Sequence, residues 1–132
     1  MLKSRTLTVD INRALEEVYE FLVEPGNLAQ WTPISGGRPE PQEGLGTWSF
    51  EGPRGALLVQ FTARNPFHVL DYTVQSGPNR SMTSSVRLIR NGDGCVLTHT
   101  SLQHPHVSDA AFASSAEWLN TDLLLLKTML ER

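Results

Sequence analysis

The stretch I-N-R-A-L-E-E-V-Y-E-F-L-V-E-P-G-N-L-A-Q-W, residues 11–31, decides how the rest of the chain is read. Leu15, Val18, Tyr19 and Leu22 follow one another at three- and four-residue spacing, while Glu16, Glu17, Glu20 and Glu24 take the other side. That pattern predicts an amphipathic helix of about three turns. Asn12 stands where an N-cap belongs, because its side-chain oxygen can accept from a free backbone N–H of the first turn. Pro25 and Gly26 end the helix, and a second short helix is expected over Asn27–Trp31, stopped before Pro33.

Outward from this stretch the period falls to two. Upstream, Lys3–Val9 carries Leu7 and Val9 on one face and reads as a strand. Downstream, Thr32–Gly46 holds three prolines and four glycines, which predicts a loop with at most a short edge strand. Five strands follow. Gly46–Glu51 alternates through Trp48 and Phe50, and Ala56–Arg64 through Leu57, Val59, Phe61 and Ala63. After an Asn65–Pro66 turn, His68–Ser76 alternates Leu70, Tyr72 and Val74 against Asp71 and Thr73. Ser81–Arg90 places Ser84, Val86 and Leu88 on one face. Asn91–Gly92–Asp93–Gly94 is the clearest hairpin signal, and it leads into Cys95–Gln103 with Cys95, Leu97 and His99 on one side. One-sided alternation of this kind belongs to antiparallel strands with one buried and one wet face. Short turns between them make a meander.

A long helix over Asp109–Glu131 closes the pattern, capped by Ser108 or Asp109. Phe112, Ala116, Leu119, Leu123, Leu126 and Leu130 share one stripe, and the helix is long enough to cross the sheet at roughly 34 Å. Trp118, Leu125 and Met129 form a second apolar stripe, which either extends the core or makes a homodimer face. The elements add up to an α+β architecture. A curved antiparallel sheet of about six strands wraps a long C-terminal helix, with two short helices after the first strand. Such a sheet leaves space beneath a single helix, and that space is a natural pocket for a small molecule.

Composition narrows the partners. The chain has 132 residues, a formal net charge of −3, 39% apolar and 19% charged residues, which suits one globular domain over residues 1–132. No Lys/Arg run offers a nucleic-acid footprint, and the Leu123–Leu126 run is far too short for membrane insertion. No leader is readable in the first dozen residues, so a cytoplasmic location is expected. Cys95 is the only cysteine, so neither an intrachain disulfide nor a multi-cysteine metal site is available. Gly44-x-Gly46 precedes a strand, not a helix, and no phosphate loop, dinucleotide fingerprint or nucleophile elbow is present, so no cofactor is expected.

Taken together, residues 11–31 resemble the opening of the START-like (SRPBCC) superfamily, which includes polyketide cyclases and Bet v 1-type proteins. The matching positions are Ile11, Val18, Tyr19, Phe21, Leu22, Pro25 and Trp31. Gly46, the Pro66 turn before L-D-Y-T-V, the G-D-G-C-V-L-T-H-T-S-L hairpin and the closing helix fall in the same order as in that family. The resemblance implies the helix-grip fold. It marks function less narrowly, because the superfamily includes lipid and hormone binders, aromatic cyclases, lipid chaperones and co-chaperone domains.

On that reading the cavity wall comes from inward strand positions and the helix stripe. These are Trp48, Phe50, Val59, Phe61, Leu70, Tyr72, Ser84, Val86, Leu97 and His99 from the sheet, with Phe112, Leu119 and Leu123 from the helix. Tyr72, Ser84 and His99 are the polar exceptions, and burying each without a partner costs roughly 1–3 kcal/mol. Either they satisfy one another or they orient a ligand. The first expectation is therefore a binding or carrier protein for an apolar or aromatic, lipid- or polyketide-like molecule. A cyclase or dehydratase acting in the same cavity, with His99 and Tyr72 handling protons, is the alternative. A protein-interaction domain of the co-chaperone or antitoxin kind is a third reading, and the Thr- and Arg-rich outward parity speaks against it.

Three other groups invite chemistry. Cys95 shares a face with His99, but four residues along a strand separate them by roughly 13 Å, too far for a thiolate–imidazole pair. His104-Pro-His106 with Asp109 nearby suggests metal ligation, yet a proline-centred loop sets no ligand geometry and no metal is expected. Glu16, Glu20 and Glu24 lie opposite the apolar stripe of their helix and are expected to face water.

Overall fold

A computed structural model describes residues 1–132. The strands are β1 (Ser4–Ile11), β2 (Ser35–Pro39), β3 (Thr47–Gly52), β4 (Gly55–Phe61), β5 (Tyr72–Gln75), β6 (Ser81–Asn91) and β7 (Gly94–Leu102). Helix α1 spans Leu15–Leu22 and α2 spans Asp109–Leu130, with 3-10 turns at Pro25–Gln30 and Pro41–Glu43. All seven strands join one antiparallel sheet in the order β1-β7-β6-β5-β4-β3-β2. It is an α+β helix-grip fold, and the seventh strand is the short edge piece within Thr32–Gly46.

Each element follows from local chemistry, with four departures from the sequence reading. Helix α1 has eight residues rather than about three full turns, because Val23 already closes it by donating to the Tyr19 carbonyl. Asn12 does not cap it. Ala14 holds that position with no side-chain bond, and the Asn12 backbone N–H donates instead to Glu131 Oε2 at 2.7 Å. Arg13 also reaches the Leu130 and Arg132 carbonyls, so the β1–α1 link is tied to the end of α2 and tertiary contacts override the capping preference. The second short helix begins at Pro25, whose fixed φ suits a first turn, and ends at Gln30. Strand β5 begins only at Tyr72. The Asp71 carboxylate accepts the Val86 N–H at 2.8 Å, taking the ladder bond that the Leu70 carbonyl would otherwise receive.

Gly46 is needed where it stands. Its φ is +75°, and a Cβ there would lie 2.8 Å from the Phe61 carbonyl oxygen, the residue whose N–H donates to the Gly46 carbonyl.

Ser108 caps α2 by accepting the Ala111 N–H, and the helix then lays its apolar stripe on the concave face of the sheet. Ile11, Val18, Leu97, Leu123 and Leu126 are 2% exposed or less and form the centre of the core. Trp31 and Tyr19 seal it from the side of the short helices. Of the second stripe on α2, Met129 packs against the core, whereas Trp118 and Leu125 stand in solvent.

Truncating Leu126, which is fully buried, to Ala is expected to destabilise the fold by about 2–5 kcal/mol. The same change at Leu125, 44% exposed, is expected to stay within about 0.5 kcal/mol. Urea unfolding of the two variants checks the contrast.

Candidate functional site

Strand register builds the site row by row. In one row His99 on β7 faces Leu7 on β1 and Val86 on β6. In the next, Tyr72 on β5 faces Phe61 and Ser84, Ser84 faces Ser101, and Ser101 faces Arg5. The two rows meet where the Tyr72 hydroxyl and His99 Nε2 lie 2.9 Å apart, their rings edge-on at 5.8 Å.

His99 is 4% exposed, and its Nδ1 has no hydrogen-bond partner. If the phenol donates to Nε2, the proton sits on Nδ1 and a buried N–H lacks an acceptor. If Nε2–H donates to the phenol oxygen, Nδ1 keeps an unused lone pair and the phenolic proton turns to Ser84, its neighbour in the row. Either tautomer leaves Nδ1 without a partner. Burial lowers the His99 pKa to about 4, so the imidazole is neutral at pH 7. Burial, with the Asp122 charge adding to it, raises the pKa of Tyr72, so the phenol keeps its proton. Asp122 itself is pushed up to about 6 by burial. The pair is thus a neutral polar contact set in an apolar wall.

Two spaces adjoin it. An inner cavity of about 40 Å³ is lined by Leu22, Val23, Leu28, Trp31, Phe61, Thr62, Leu70, Tyr72, Val86, Leu97, His99 and Leu123. A groove of about 260 Å³ is lined by Arg5, Leu7, Tyr72, Val74, Met82, Ser84, His99, Ser101, Phe112, Ser115, Ala116 and Leu119. Tyr72 and His99 line both the cavity and the groove.

The sequence-predicted wall residues therefore divide. Phe61, Leu70, Val86, Leu97 and Leu123 join Tyr72 and His99 around the inner cavity, and Ser84, Phe112 and Leu119 join them around the groove. Trp48, Phe50 and Val59 line neither. Trp48 stacks on Phe50 at 6.4 Å, Phe50 meets Phe61 edge-on at 6.2 Å, and Phe50 and Val59 are 2% and 1% exposed. They fill the β3–β4 end of the concave face. Leu28 of the second short helix, Trp31 just after it, Thr62, Arg5 and Ser101 were not in the predicted wall. For Arg5 and Ser101 the signal was available, since they share the parity of Leu7 and His99.

Residues 4–124 match the family described as "Polyketide cyclase / dehydrase and lipid transport". The chain belongs to this family. Among solved structures the family fold recurs across nearly the whole chain. The XoxI protein from Bacillus cereus superposes with a TM-score of 0.79 at 14% identity, over 98% of this chain and 96% of that one. A START superfamily protein from Mycobacterium smegmatis gives 0.73 at 14% identity, over 97% of both chains. The protein described as the Aha1 dimer from Colwellia psychrerythraea gives 0.73 at 20% identity, over 98% of this chain and 97% of that one. Curated proteins gave no match by sequence.

The remaining chemistry-bearing groups lie away from the Tyr72–His99 pair. Cys95 is 1% exposed, faces Ile11 and Arg90 in the ladder, and burial pushes its thiol pKa up. Glu16 pairs with Arg90, and Glu20 and Glu24 both reach Arg64, all half-exposed on the outer surface. His104 and His106 stack on each other at 6.0 Å, while the Asp109 carboxylate turns to Gln103 and Lys3.

The His99 shift carries a pH dependence. Its folded pKa of about 4 lies below the unfolded value near 6.5, so the unfolded chain binds the proton first as pH falls. Stability present at pH 7 is expected to be lost between pH 6.5 and 4, by roughly 3 kcal/mol. Asp122, raised to about 6, acts with the opposite sign over much of that window, so the difference between wild type and His99→Gln is the quantity to read. The imidazole of His99 is expected to titrate by NMR with a midpoint near 4, and a midpoint near 6.5 would refute its burial as the cause.

Proposed function

We propose that the protein binds an apolar or aromatic small molecule, lipid- or polyketide-like, between the sheet and α2. The observation that carries this reading is the Tyr72–His99 pair, a buried polar contact with a spare hydrogen-bonding atom shared by two apolar spaces. An inner cavity of about 40 Å³ is too small for such a guest, and the groove of about 260 Å³ approaches the lower end of ligand pockets, about 300 Å³. Tyr72 and His99 line both spaces, and on this reading a turn of either side chain opens one into the other, which together reach about the size of a small ligand pocket. The family description, which names lipid transport beside cyclase and dehydrase chemistry, is consistent with it.

Carriage is favoured over catalysis by the state of the imidazole. A general base works best with a pKa near the working pH, and a pKa of about 4 makes His99 a poor proton acceptor at pH 7. As a hydrogen-bonding anchor for a neutral guest, the same neutral imidazole is well suited.

N-Phenyl-1-naphthylamine, an uncharged apolar dye, is the probe. It is expected to bind with one equivalent and saturable fluorescence. At about a hundredfold excess over Kd it adds about 2.7 kcal/mol of stability, read as a rise in Tm of several degrees. Ala116→Trp, which fills the groove from α2, is expected to remove the binding. Absence of saturable binding, or binding that Ala116→Trp leaves intact, overturns the reading.

A further inference from the structure

The groove ends in a cation that nothing in the chain neutralises. Arg5 is half-buried at its wall, whereas every other Lys or Arg either faces a carboxylate or stands exposed. One of its donors is used: Nη1 gives a hydrogen bond of 3.2 Å to the Phe112 carbonyl. The guanidinium carbon sits 4.7 Å over the Phe112 ring, which holds the fork in place without discharging it. The nearby acid, Asp109, is taken by Gln103 at 2.8 Å and by Lys3 at 3.7 Å.

From Arg5 a polar track runs along the floor. Ser101, Ser84 and Tyr72 follow it in register on β7, β6 and β5, all in the groove wall. Three strand spacings make that track about 14 Å long. Leu7 and His99 flank it on one side, Val74 and Met82 on the other, and α2 covers it. At the far end Tyr72 and His99 are neutral, so Arg5 is the one formal charge in the groove wall, and the Asp122 carboxylate on α2, outside that wall, acts on Tyr72 only through its charge.

Resting on the reading that this groove holds an apolar guest, we infer that it selects a monoanionic amphiphile, with its acidic head on the Arg5 guanidinium and its body over Ser101 and Ser84 towards Tyr72. A cationic head meets repulsion at Arg5. A neutral guest leaves the fork desolvated and unpaired, while a carboxylate or sulfonate takes two parallel N–H donors from it.

Two dyes of one skeleton test this. 8-Anilino-1-naphthalenesulfonate carries the anionic head, and N-phenyl-1-naphthylamine is the same body without it. The sulfonate is expected to bind about tenfold more tightly to wild type, the scale of one charge-assisted contact. In Arg5→Gln the ratio of the two affinities falls towards one, and an unchanged far-UV circular dichroism spectrum and a cooperative thermal transition show that the fold is kept. Arg5→Lys, which keeps the charge and loses the fork, retains part of the preference. Equal affinities in wild type, a preference unchanged by Arg5→Gln, or sulfonate binding that survives Ala116→Trp overturns the inference and leaves the uncharged-guest reading standing. If neither dye binds wild type, both readings fall.

Discussion

Everything in this molecule depends on the seating of one helix on a sheet too wide for it. Leu123 and Leu126 anchor α2 against the concave face near Ile11 and Leu97, and these four side chains are all but sealed from solvent. A helix is about 10 Å wide with its side chains, whereas seven strands at about 4.8 Å spacing span about 29 Å. The helix therefore covers only part of the face. Leu28 of the second short helix and Trp31 just after it close one side, and the Trp48–Phe50–Phe61 aromatics fill the β3–β4 end. The cavity and the groove are what remain between those closures.

Within that remainder, polarity is segregated. The Glu16–Arg90 and Glu20–Arg64 pairs sit half-exposed on the outer surface, where water screens them and each contributes little. The interior keeps hydroxyls and a neutral imidazole, groups that desolvation penalises far less than ions. Arg5 and the half-buried Asp122 are the exceptions, and the place of Arg5 at the end of the groove, bound to the Phe112 carbonyl and ring, lets it stay partly solvated.

Much of this was legible in the residues. Alternation along β4, β6 and β7 put Phe61, Ser84, Val86, Leu97 and His99 on one face, and the pairing Tyr72–Ser84 and Val86–His99 agrees with that parity. Parity gives a side of the sheet but not a place along it. Trp48, Phe50 and Val59 point to the same side as His99 and yet lie at the filled end of the sheet. Asn12 is a good cap by chemistry, but the ties from Asn12 and Arg13 to the end of α2 place the turn two residues later. Asp71 shortened β5 through a side-chain bond to a strand fifteen residues away, which no local pattern contains. Arg5 shares the parity of Leu7, but an arginine ordinarily faces water, and its place in the groove wall emerges only from the cross-strand register and the cover of α2.

The sequence by itself determined the elements, their order and which side of each strand is apolar, since these depend on backbone geometry and on contacts a few residues apart. It also determined that three polar residues, Tyr72, Ser84 and His99, would share the inner face. Only the tertiary structure decided that Tyr72 bonds His99, that Ser101 and Arg5 extend their row, and that one end of the concave face is filled while the other stays open. Those outcomes turn on cross-strand register and on where a narrow helix crosses a wide, twisted sheet, and both are set by packing between residues far apart in the chain.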